Sequence, residues 1–95
     1  MERCARCEEK VAEGLLTAYG DILCEDCWDD YICTDEGKVE YFIGICKGDY
    51  PPSEFDAEFL GETSLSWQKN RDRLSLKPEV IEFIEATGVL YGLLD

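Results

Sequence analysis

The stretch CARCEEKVAEGLLTAYGDILCEDC (residues 4–27) begins and ends on a C-x-x-C pair. Sixteen residues separate Cys7 from Cys24, and the 95-residue chain has no histidine. Each pair makes a tight turn that presents two sulfurs to one ion at about 2.3 Å, and two pairs together supply a tetrahedral four-sulfur site. Four protein ligands leave no position open for water. The spacing therefore predicts a structural, not catalytic, metal at Cys4, Cys7, Cys24 and Cys27. Redox-active pairs and disulfides are the competing uses of such thiols.

Working outward, VAEGLLTAYGDIL (11–23) reads as a short hairpin, with apolar residues flanking YGD (19–21) and Gly20 able to supply a positive φ. Past Cys27 the period changes. Trp28, Tyr31 and Ile32 fall at i, i+3 and i+4, the face of a helix, with Asp29 and Asp30 expected in its first turn.

A knuckle, a hairpin and a second cysteine pair at a helix start resemble the treble-clef zinc fingers, of the LIM and GATA types, over residues 3–35. The resemblance implies zinc and this local fold. It departs from LIM modules in lacking histidine ligands. It departs from DNA-binding GATA fingers in charge: Glu25, Asp26, Asp29, Asp30, Asp35 and Glu36 stand where cations would be, with no base in residues 25–36. Direct nucleic-acid binding is therefore not expected from this region, since phosphate contacts by cations supply most non-specific affinity. Iron, as in rubredoxin-like sites, is the alternative ion. Those knuckles favour glycine after the second cysteine, where this chain has Glu8 and Trp28. Arg3, Arg6 and Lys10 bracket the first pair and are expected to offset the thiolates.

Beyond residue 36 the sequence resembles no family. KVEYFIGIC (38–46) alternates, with Val39, Tyr41, Ile43 and Ile45 on one side, and reads as a strand. EFLGETSLSW (58–67) reads as a second strand through Phe59, Thr63, Leu65 and Trp67. YPPSEF (50–55) breaks the chain between them. KPEVIEFIEATG (77–88) is the clearest helix, with Pro78 in its first turn and Gly88 as its stop. Val80, Ile81, Phe83, Ile84 and Thr87 take one face and Glu79, Glu82 and Glu85 the other. The expected fold class is α+β in one domain, residues 1–95: a Cys4 treble clef (3–35), then a short antiparallel sheet and a C-terminal amphipathic helix (36–95). The apolar tail VLYGLL (89–94) is expected to close the core. Cys33, expected on the first helix, and Cys46, expected at a strand end, read as partly buried apolar residues.

The chain carries 22 acids against 9 bases, a net charge of −13. Four thiolates and a divalent ion would take this to −15. Such a charge repels nucleic acid and anionic lipid and attracts basic partners. The N-terminus lacks the apolar core of a secretory signal, and no apolar run reaches the ~20 residues of a membrane span. A cytoplasmic location with reduced thiols is the expectation. With no histidine, no nucleophile–base pair and no glycine-rich phosphate loop, an enzyme is not expected.

The expected function is protein binding by a small zinc-stapled acidic scaffold. Acids crowd 25–36 and also 49–62, where Glu54, Asp56 and Glu58 are the candidate contacts. Such a surface resembles small viral or mobile-element inhibitors, anti-CRISPR proteins among them, that imitate a nucleic-acid backbone. The expected partner is then a basic nucleic-acid-processing protein. The alternative is nucleic-acid binding by the run KNRDRLSLK, with Lys69, Arg71, Arg73 and Lys77 beside Trp67.

Overall fold

The computed structural model describes residues 2–94; Met1 and Asp95, the ends of the expected domain, lie outside it. Two small antiparallel sheets come first. Strands β1 (Glu2–Arg3) and β2 (Lys10–Val11) pair around the first cysteine turn, and β3 (Leu15–Leu16) pairs with β4 (Ile22–Leu23). The β3–β4 turn is closed by Thr17, whose Oγ1 accepts from the N–H groups of Tyr19 and Asp21, with Gly20 at φ +90°. Four helices follow: α1 (Glu25–Tyr31), α2 (Asp35–Lys47), α3 (Ala57–Asn70) and α4 (Pro78–Leu90). The α+β class stands, but the sheets both precede residue 24. No helix among the described residues is long and apolar enough to cross a membrane.

The strand expected at 38–46 is helix α2. Its start is a local signal: Thr34 Oγ1 accepts from the Gly37 N–H at 3.1 Å, with Asp35 and Glu36 in the first turn. That is an N-cap with acids at the positive helix end. Lys47 and left-handed Gly48 mark its C-terminus. Its buried face runs Val39, Phe42, Ile43, Cys46, at i, i+3, i+4 and i+7. The β-branched alternation was real, but the capped ends and this stripe prevail over it.

The strand expected at 58–67 is helix α3, capped by Asp56 Oδ1 accepting from the Phe59 N–H at 2.7 Å. Its buried residues are Thr63, Ser64, Ser66, Trp67 and Asn70. Because that face mixes Trp67 with hydroxyls, its helical period is carried partly by polar residues. Leu65, taken as inward, is 56% exposed. Each buried hydroxyl finds a partner: Thr63 donates to Leu60 O, Ser64 to Leu93 O and Ser66 to Asp35 Oδ1. The last of these ties the end of α3 to the start of α2, so the two helices run antiparallel.

Helix α4 confirms the expected 77–88 segment, with a different end. Gly88 is buried inside it, where a Cβ would press on Phe42 and Leu94, and the helix continues to Leu90. The tail splits. Leu93 and Leu94 fold back onto the core through N–H bonds to Gly88 O, while Val89, Leu90 and Tyr91 stay exposed. The main core gathers Phe42 against Trp67 (5.2 Å between ring centres), with Ile43, Ile84 and Ala18. A smaller core of Leu23, Tyr31 and Cys4, flanked by Trp28 and Ile32, sits under the metal-ligand candidates.

Two close contacts couple these cores. The first is Gly37, where a Cβ would lie 2.0 Å from Tyr31 O. The first turn of α2 thus sits directly on the end of α1. The second is the hairpin tip. The Ala18 N–H donates to Glu40 Oε1, which also accepts from the Tyr31 hydroxyl at 3.0 Å, and Ser75 N–H donates to Ala18 O at 2.8 Å. Burial, first among its causes, raises the Glu40 pKa above its ordinary value of 4.5 against these hydrogen bonds.

Gly37→Ala should lower stability by about 1–3 kcal/mol, the usual cost of overpacking, measured by urea unfolding. Glu40 gives a pH signature. A carboxyl whose folded pKa is raised binds its proton more tightly in the native state. Its contribution is present below pH 4.5 and is lost as pH rises through the folded value. Stability of the native chain should therefore fall relative to Glu40→Gln above pH 4.5. Glu40→Ala should lose about 1–3 kcal/mol at all pH values, because two buried donors lose their acceptor.

Candidate metal centre

Cys4 and Cys7 lie in the turn between β1 and β2. Cys4 N–H donates to Glu9 O and Glu8 N–H to Cys4 O, both at 2.9 Å. Glu8 takes φ +63°, the left-handed conformation that glycine serves in such turns. The missing glycine therefore does not change the turn, and its absence gives no argument against iron. Ala5 N–H reaches across to Ile22 O at 2.7 Å, which binds this turn to β4. Cys24 is the N-cap of α1 and Cys27 its third residue. Both therefore sit at the positive end of the helix, where anions are favoured. The helix begins before Cys27, so Asp29 and Asp30 lie in its last turn and not its first.

The four sulfurs lie within 4.8 Å of one another and could hold a metal ion. Cys7 Sγ and Cys24 Sγ are 3.7 Å apart. A tetrahedron with metal–sulfur bonds of about 2.3 Å has edges of about 3.8 Å, so the spacing fits a tetrahedral ion. A disulfide needs about 2.05 Å between sulfurs, and all six cysteines are free thiols. Cys4 is buried, Cys24 and Cys27 are half-buried, and Cys7 is exposed, which leaves one side open for an ion to enter.

Electrostatics point the same way. The backbone N–H of Cys7, then those of Cys24 and Arg6, hold the Cys4 thiol down to about 6 against the effect of burial. Cys7 is raised: Glu9 N–H favours its thiolate, but the thiols of Cys4 and Cys24 and burial outweigh it. Cys27 is pushed up by Cys24 and Cys4. Neighbouring thiols disfavour the thiolates of Cys7 and Cys27, which a bound cation would stabilise. Arg6 donates to Cys27 O at 3.4 Å, beside the cluster as expected. Arg3 faces Lys10 across the β1–β2 register. Two cations directly opposite repel.

The remaining thiols part company. Cys46 is buried in the main core, which raises it to about 11. Cys33 lies past the end of α1, exposed and donating to Asp29 O at 3.4 Å, and not partly buried as expected.

Nine acids were candidate partner contacts: Glu25, Asp26, Asp29, Asp30, Asp35, Glu36, Glu54, Asp56 and Glu58. All are exposed. Two also serve the fold. Asp56 caps α3, and Asp35 accepts from Ser66, which holds its carboxyl below the ordinary value. Glu25, Asp26 and Glu58, like Asp35 and Glu36, lie in first turns of helices. Trp67, the proposed stacking platform, is 0% exposed and closes the main core, so no base can reach it. Arg71 pairs with Glu85 at 2.8 Å, and Arg73 reaches Glu36 at 3.8 Å and lies over the Tyr19 ring. No family model, curated protein or solved structure compared with this chain matches it.

Cys24→Ser should lose bound metal and unfold both small sheets, since metal binding and folding are coupled in such units. Elemental analysis and amide-proton dispersion measure the two effects. Cys33→Ser should change neither.

Proposed function

We propose that the chain is a zinc-stapled acidic binding protein, with residues 3–35 a treble-clef finger, and that it acts by contact rather than by catalysis. Its partner is a basic protein, most simply one that handles nucleic acid, which it inhibits or regulates by presenting carboxylates where phosphates would lie. The cytoplasm fits reduced ligand thiols.

One observation carries this reading. Asp29 and Asp30 sit in the last turn of α1, which has no basic residue. Carboxylates there oppose the helix dipole and cost stability, and neither pairs with a cation among the described residues. Folding gives no reason for them, which supports a contact role. The second tract, around Glu54 and Glu58, lies at the N-terminal end of α3, so the partner needs cations for two separate tracts.

The test uses opposite signs. Asp29→Lys with Asp30→Lys should raise stability by about 0.3–1 kcal/mol while weakening the captured partner, mainly by slowing association. Glu54→Lys with Glu58→Lys should weaken it as well. Wild-type affinity should fall steeply as salt rises, and nucleic acid should compete. A partner held through Val89, Leu90 and Tyr91 with little salt dependence would replace this reading with an apolar adaptor.

A further inference from the structure

A cavity of about 230 Å³ opens between α1 and α2, away from the sulfurs. Three aromatic side chains, Trp28, Tyr41 and Tyr50, form its walls. Its floor includes the backbone of Gly44, and Glu40 and Asp49 bring carboxylates to its lining.

The walls are held in place. Tyr41 meets Phe59 edge-on at 5.4 Å and Tyr50 at 5.7 Å, and Phe55 and Phe59 stack behind it at 5.1 Å. Tyr50 is placed by the end of α2. Left-handed Gly48 turns the chain, and the N–H groups of Asp49 and Tyr50 both return to Gly44 O. One edge of the Tyr50 ring then lies against Gly44, where a Cβ would come within 2.5 Å of two ring carbons. Trp28 is fixed from the other side by Tyr31, 5.6 Å away.

We propose that this cavity receives an arginine side chain from a basic protein partner. Aromatic faces attract cations through their quadrupoles. A guanidinium is weakly hydrated, stacks on rings and offers five fixed donors to carboxylates, whereas an ammonium is compact and strongly hydrated. Asp49 supplies the exposed acceptor, and Glu40, whose Oε1 is engaged by Ala18 and Tyr31, adds negative charge. The volume falls below the roughly 300 Å³ at which drug-sized ligands begin to fit, which suits one side chain and not a cofactor. Lys47 shares the lining and is the one opposing charge. This inference rests on the reading of a basic partner and names the contact that gives it specificity.

Nα-acetyl-argininamide, titrated into the metal-loaded protein and followed by NMR, tests the cavity alone. Saturable shifts of the Trp28 indole are expected, on the order of millimolar affinity, with little response to the lysine and citrulline analogues. Tyr50→Ala should weaken binding about 2- to 30-fold, the span of cation–π energies. Gly44→Ala, which displaces Tyr50, should do the same, and Lys47→Ala should strengthen it. An unchanged Trp67 signal confirms that each variant is folded; Asp49→Asn, at an exposed position, serves if one is not. Equal response to citrulline or lysine, or binding unaffected by Tyr50→Ala and Asp49→Asn, overturns the proposal. Because no partner is present, failure here leaves salt-sensitive capture free to succeed, and the two readings fall separately.

Discussion

The peptide group of Ala18 is where the two halves of this protein become one. Its N–H goes to Glu40 on α2 and its carbonyl is met by Ser75, just before α4. Its methyl group enters the main core at 6% exposure. Two-residue ladders cannot hold a hairpin in water by themselves, so both sheets depend on what lies at either end. At one end are the four sulfurs and at the other is this clasp. Glu40 bears the cost: a carboxylate drawn from water to satisfy a main-chain donor and a phenol.

Seen from that clasp, the negative charge sorts into two kinds. Much of it does ordinary work for the helices, at N-caps and in first turns, where acids stabilise a helix by a few tenths of a kcal/mol to about 1. Arg71 and Arg73 in turn balance Glu85 and Glu36 across the surface. Asp29 and Asp30 are the exception that runs against this work, since they stand in the last turn of α1, the wrong end for an acid. A net charge of −13 by itself says little; its exceptions to helix electrostatics say more.

The metal-ligand candidates were legible because chemistry fixes their spacing, and so were the β3–β4 hairpin and α4, whose turn and apolar stripe are local. The middle of the chain misread for two different reasons. In α2, β-branched residues at alternate positions imitated a strand, while Thr34 and Gly48 marked both ends of a helix. In α3, whose helical amphipathicity exceeds that of α2 and α4, Phe59, Leu65 and Trp67 shared a strand's parity, while the polar members of the buried side, Thr63, Ser64, Ser66 and Asn70, and the Asp56 cap carried the helix. The aromatic cavity could not be read from sequence, since it joins residues of α1 to a ring that arrives only through the left-handed turn at Gly48.

The buried hydroxyls of α3 reach beyond packing. Unfolding raises heat capacity in proportion to the apolar surface it exposes, and polar surface lowers it. A helix that buries Thr63, Ser64, Ser66 and Asn70 beside Trp67 exposes less of the first and more of the second than a wholly apolar face would. The stability curve is flattened to that extent, while Val39, Phe42, Trp67 and Ile84 keep an apolar core whose contribution weakens on cooling. A metal ion held by the sulfur cluster would raise the curve by binding the folded state alone.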